Sequence, residues 1–185
     1  MKRIDFEDGT LTGNIIGTAL PMLVAQILNL LYNIVDRIYI GRIPEIGTTA
    51  LGAVGLCFPF IVIISAFSGL FGTGGAPLFS IYRGRKDQAG ARKIMNTSFT
   101  MLFLSGVILM TIGLIFAKPI LVLFGASENA LTYACPYMMI YLTGTLPSMI
   151  ALGMNPFINA QGYSLIGMLS VTIGAVSNLI LDPLF

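Results

Sequence analysis

The sequence predicts an all-α protein, a polytopic bundle of transmembrane helices. Three observations carry that expectation. The mean hydropathy is +0.88. Charged residues make up only 10% of the 185, whereas a soluble domain carries roughly a quarter. The charges are also clustered between five apolar stretches, each reaching the about 20 residues that cross a bilayer as a helix.

Residues 1–13 form a cytoplasmic or interfacial lead-in. The opening MKRIDFEDG is basic at Lys2 and Arg3, but Asp5, Glu7 and Asp8 interrupt it, unlike the charge pattern of a cleavable signal. The first span is expected over 14–40, with Pro21 as a bending point. The second covers 50–82, where Pro59 and the glycines of 69–75 permit a bend. The third covers 97–117, the fourth 131–153 and the fifth 165–185. The connection YRGRKDQAGARK after the second span holds Arg83, Arg85, Lys86, Arg92 and Lys93. Basic loops stay on the cytoplasmic side, so this connection and the N-terminus are expected inside the cell. LILDPLF closes the chain with no polar tail, and the sequence is expected to be a fragment of something longer.

Several function classes drop out on composition. The sequence has no histidine, which removes Ser-His-Asp and Cys-His chemistry and most zinc sites. Cys57 and Cys135 lie in apolar stretches without C-x-x-C spacing and read as free thiols. A net charge of +2 is too small for a nucleic-acid surface. SGLFGTGGAP (68–77) is rich in glycine but lacks the G-K-[ST] ending of a phosphate loop, so close helix packing is its expected use. No enzyme and no cofactor is expected, and without a nucleotide motif any transport must run on an ion gradient or downhill.

The segment YNIVDRIYIG (32–41) then poses a question. Asp36 follows a run, residues 9–35, with no charged side chain. Gln26, Asn29, Asn33 and Asp36 recur at helical spacing along one face. Ser170, Gly174, Asn178 and Asp182 do the same in the fifth span. Both spans run from inside to outside, and at 1.5 Å per residue both acids lie roughly 26–30 Å along their helices, at similar depth. Polar stripes in lipid must face protein or a wet cavity, and an intramembrane acid is a functional candidate. The economical arrangement turns both stripes toward one cavity, where Asp36, Asn178 and Asp182 offer oxygens to a proton or a hard monovalent cation. The plainer alternative pairs Asp36 with Arg37 or Arg42 and leaves Asp182 at an exposed helix end.

These segments resemble a known family. Asn33-x-x-Asp36-x-x-Tyr39-Ile40-Gly41, ALGAVGL (50–56), NPFINAQG (155–162) and GAVSNLILDPLF (174–185) resemble, in order and spacing, the multidrug and toxic compound extrusion (MATE) transporters, bacterial drug/sodium antiporter branch. The resemblance implies twelve helices in two six-helix lobes, with this chain supplying helices one to five of an incomplete N-lobe (14–185). It implies export of cationic lipophilic drugs from the cell across the plasma membrane against H+ or Na+, with the cation held by Asp36, Asn178 and Asp182. Asn155 and Tyr141 match positions near the same cavity. The partners it implies are small cationic drugs, the lipid bilayer and a C-terminal lobe from the same polypeptide, without which this piece is expected to be inactive. A lipid-linked-oligosaccharide flippase of related fold is the alternative, though such proteins carry basic residues in the cavity where acids and amides stand here.

Overall fold

Hydrocarbon offers a backbone no hydrogen-bonding partner, so a chain of this hydropathy has to satisfy its amides within each segment. The computed structural model describes residues 10–181 (side chains to 177) and meets this demand with six helices. They are α1 (Leu11–Gly41), α2 (Gly47–Gly84), α3 (Gln88–Leu123), α4 (Glu128–Thr143), α5 (Thr145–Ala160) and α6 (Ser164–Leu181). Of these, α1, α2 and α3 are each long and apolar enough to cross a membrane, and α4 with α5 does so as a bent pair. The tail of the expected fifth span, 182–185, lies outside the described residues.

Two features differ from the sequence expectation. The basic connection is mostly helix rather than loop, because α2 runs on to Gly84 and α3 begins at Gln88. At 38 and 36 residues these helices are about 54–57 Å long and project well beyond a hydrocarbon core of about 30 Å. Their charged ends stand in water, where a helix interior tolerates arginine and lysine well. Asp87 caps α3 by accepting the Gly90 amide at 2.9 Å, and Lys86 makes the reversal at φ 59°.

The fourth span is the second difference. It is broken at Gly144 into two helices bent by 55°, and it reaches Ala160 rather than 153. Pro147, without an amide hydrogen, sits in the first turn of α5, where no helical partner is due. The buried face nevertheless continues across the break, as Ala134, Met138, Leu142, Thr145, Met149, Gly153 and Phe157. Pro21 interrupts nothing: α1 runs unbroken through it. The kink in α3 lies instead at Phe116, three residues before Pro119.

Burial follows stripes at helical spacing. On α2 the stripe is Ala53, Cys57, Phe60, Ile64, Ser68, Gly72, Ala76 and Phe79; on α3 it is Ala91, Ser98, Leu102, Gly106, Gly113, Ala117 and Leu121. One core joins α2, α3, α4 and the start of α5 through Phe60, Ile64, Leu121, Met138, Leu142 and Met149. A second core joins Phe79, Ala91 and Phe157, with the Phe79 and Phe157 rings edge to face at 5.5 Å. Arg83 closes that end, donating to the Ala160 carbonyl at 3.2 Å with its guanidinium over the Phe79 ring. Around this body α1 is an outer layer with no fully buried residue, lying along α6.

The glycine-rich stretch of α2 is used for close packing, as expected. Gly72 rests against the Gly153 backbone of α5, and a Cβ there would collide with the Gly153 carbonyl. Gly52, by contrast, faces open space. Gly72→Ala is therefore expected to lower stability by about 1–3 kcal/mol while Gly52→Ala leaves it unchanged. The check is thermal unfolding of both variants in the same detergent.

Candidate functional site

The candidate site begins on α1, where four polar side chains share one face. Asn33 donates to the Asn29 carbonyl at 2.7 Å and to Asn29 Oδ1 at 3.0 Å. Gln26 and Asn33 are exposed, whereas Asn29 and Asp36 are partly covered. A stripe that is half open at membrane depth requires protein or water against it. The described helices cover only part of it.

Asp36 is linked electrostatically to α4. The Asp36 carboxylate acts electrostatically on Tyr137, which also responds to Cys57, Tyr141 and Tyr32. Tyr137 and Tyr141, one helical turn apart, stack at 6.4 Å and 24°, and Tyr32 of α1 acts on both. Tyr32 of α1 thus acts on both tyrosines of α4, and the Asp36 carboxylate acts on Tyr137. A phenol can donate a hydrogen bond to a carboxylate or offer its oxygen to a cation. The sequence expectation included Tyr141 and missed Tyr32 and Tyr137. The i, i+4 relation of Tyr137 to Tyr141 was the available signal.

The Arg37 guanidinium lies 5.6 Å from the centre of the Phe58 ring on α2, a cation–π contact that suits an arginine in a poorly hydrated setting. The two thiols, Cys57 and Cys135, are both free, and Cys57 Sγ donates to the Ala134 carbonyl at 3.7 Å. They belong to the packing between α2 and α4.

The second polar group lies between α5 and α6. Asn155 donates to the Gly167 carbonyl and to Ser170 Oγ, each at 3.1 Å, and its own Oδ1 accepts from Asn159 at 3.1 Å. Ser170 in turn donates to the Gly167 carbonyl at 2.8 Å. Asn155 was expected near the cavity, but here its amide ties α5 to α6. Gly167 makes this possible, because a Cβ at that position would stand 2.5 Å from Asn159 Oδ1. Asn159 was not anticipated from the sequence.

The structure therefore brings together the helices that carry Asp36 and Asn178, since α1 lies along α6. Asn178 belongs to α6 by its backbone; its side chain and the whole of Asp182 lie outside the described residues. Among the described residues no three histidine, cysteine or acidic side chains form a group able to hold a metal ion. A sodium site at Asp36 would need the oxygens of Asn178 and Asp182 as well.

The MatE family matches residues 21–184. The chain belongs to the MatE family. Members of this family are transporters, not enzymes. Multidrug export protein MepA of Staphylococcus haemolyticus is 27% identical over 179 residues, covering 97% of this chain. An FAD transporter of Shewanella oneidensis is 27% identical over 170 residues, covering 92%. Among solved structures, MATE in complex with MaD5 matches the whole of this chain with a TM-score of 0.90 at 25% identity. An outward-facing multidrug resistance MATE transporter covers 96% with a TM-score of 0.87 at 25% identity. The chain spans 39% of the length of the S. haemolyticus relative, 37% of the Shewanella relative and 41% of the MaD5-bound structure. The fold is that of the MATE N-lobe, in a multi-pass membrane protein, and these likenesses do not favour the flippase alternative.

The α5–α6 tie yields a test. Asn155→Ala removes the acceptor for Asn159 and a donor to Gly167 and Ser170. Leaving such groups unpaired costs about 1–3 kcal/mol, so the thermal midpoint in detergent is expected to fall by several degrees. A midpoint equal to that of the unaltered protein would show that the tie contributes nothing.

Proposed function

We propose that this chain supplies helices one to five of a MatE secondary transporter that exports cationic lipophilic compounds in exchange for incoming H+ or Na+. The observation that supports the proposal is Asp36 itself: an acid in an apolar helix that lies along α6, acting electrostatically on Tyr137 of α4. Asp36, Asn178 and Asp182 hold the coupling cation. Gln26, Asn29, Asn33 and Tyr141 line the path of the drug, and Asn155 stands at its edge.

The cycle is one of alternating access. A proton or sodium ion entering from outside neutralises the carboxylates, and the neutral cluster favours the inward-facing packing. A cationic drug from the cytoplasm or inner leaflet then takes the cavity and leaves outside as the cluster refills. A ligand can shift such an equilibrium only by its differential affinity for the two states. A charge-neutralising cation at a partly desolvated acid supplies that difference. The drug's own positive charge and the coupling ion compete for the same carboxylates, and this competition is what makes the exchange obligatory.

The proposed topology puts the N-terminus and the Arg83–Lys93 turn in the cytoplasm of a cell whose plasma membrane holds the protein. The remaining cavity wall comes from a C-terminal lobe of the same polypeptide. The names of relatives support the substrate class: MepA proteins of staphylococci are multidrug exporters by name.

Asp36→Asn in the full-length polypeptide is expected to abolish drug–cation exchange in proteoliposomes while insertion and folding persist. Exchange at the unaltered rate would remove Asp36 from the mechanism. The coupling ion is to be read by imposing ΔpH and ΔpNa separately on the same vesicles. One of the two is expected to drive efflux, and the antiport reading fails if neither does.

A further inference from the structure

The Arg83–Lys93 turn is more than a topology signal, because the face that follows it on α3 is shaped. A cleft of about 760 Å³ is lined by Gln88, Arg92, Lys93, Asn96, Thr97 and Met101, among others. All six side chains are exposed. Arg85 and Lys86 stand in the turn just above. Arg83 is engaged at Ala160 and Phe79, and the Asp87 carboxylate caps the Gly90 amide. Among the described residues, Arg85, Lys86, Arg92 and Lys93 make no ion pair, and Asp87 is the only acid between Glu45 and Glu128. The cleft is therefore strongly cationic, with no partner for its charge in the described chain.

Below the cations the same face changes character. Asn96 and Thr97 come next, then Met101, and the exposed Leu104 and Ile108 continue it at helical spacing. From Arg92 to Met101 the axis advances about 13 Å. The polar interfacial zone of each leaflet is about 5–8 Å thick, so this face starts in water, crosses the headgroup layer and ends against acyl chains. A soluble anion would use the cations but not the apolar strip beneath them. A phospholipid uses both.

We propose that this face of α3 is a binding site for an anionic phospholipid of the inner leaflet. Arg92 and Lys93 hold the phosphate and Asn96 bonds the headgroup. Met101, Leu104 and Ile108 lie against an acyl chain. Arginine presents a planar fork that matches phosphate oxygens, lysine a mobile point charge, and charge-assisted bonds of this kind are stronger than neutral ones. Arg85 and Lys86 add long-range attraction to the same leaflet. The assignment to the inner leaflet rests on the topology given under the proposed function; the binding itself does not depend on Asp36 or on transport.

The test is native mass spectrometry of the full-length protein, purified from membranes of mixed phosphatidylglycerol and phosphatidylcholine. Phosphatidylglycerol is expected to be retained in preference to phosphatidylcholine. The double variant R92Q/K93Q is expected to weaken that retention about thirtyfold, at about tenfold or less per cation, and K93R alone is expected to preserve it. A photoactivatable phosphatidylglycerol on the unaltered protein is expected to label residues 88–108, which keeps the test decisive should the double variant misfold. Equal retention of the two lipids, unchanged retention in a folded R92Q/K93Q, displacement by millimolar inorganic phosphate, or labelling confined to other helices would each overturn the proposal. Asp36→Asn is expected to leave lipid retention unchanged, so this proposal and the antiport reading fail independently.

Discussion

An ionisable side chain within a transmembrane helix costs roughly 2.5–3.5 kcal/mol on insertion scales, and more where it cannot reach water. Asp36 imposes that cost on α1, and much of the surrounding arrangement follows from it. The acid sits on the partly covered side of an outer helix that has no fully buried residue. The α6 helix runs along α1, and the carboxylate acts on Tyr137 of α4. The guanidinium of the neighbouring Arg37 lies over the Phe58 ring.

The rest of the bundle holds that environment in place. Small residues let α2 and α5 approach until Gly72 meets the Gly153 backbone, which lipid-embedded helices need because hydrocarbon supplies no hydrophobic drive to pack them. The bend at Gly144 separates two jobs within one span. Its α4 half presents Tyr137 and Tyr141 to α1, and its α5 half is tied to α6 through Asn155 and Asn159. A straight helix would have carried both groups along one axis. With the bend, the α5–α6 pair and the α4 tyrosines are held by different contacts.

At the connection between α2 and α3 the charge is positive. Four cations without acidic partners among the described residues crown two helices that outreach the bilayer, and a shaped cleft follows them down α3.

Much of this was legible in the residue order. Uninterrupted apolar runs announced helices because backbone amides in lipid have no other outlet, and four polar residues from Gln26 to Asp36 marked one face because helical spacing is local. The match of MatE motifs named the same residues. What the order of residues left open was everything that depends on contact between distant segments. The reach of α2 and α3 into water was hidden because arginine and lysine suit a helix end and a loop alike. The break at Gly144 was hidden because glycine in an apolar run reads equally as packing. The tie of Asn155 to α6 was hidden because its amide reaches Gly167, twelve positions on, only in the fold. Local periodicity determined which residues share a helix face. Only the tertiary fold decided which face meets which, because that choice turns on the shapes of surfaces brought together from far along the chain.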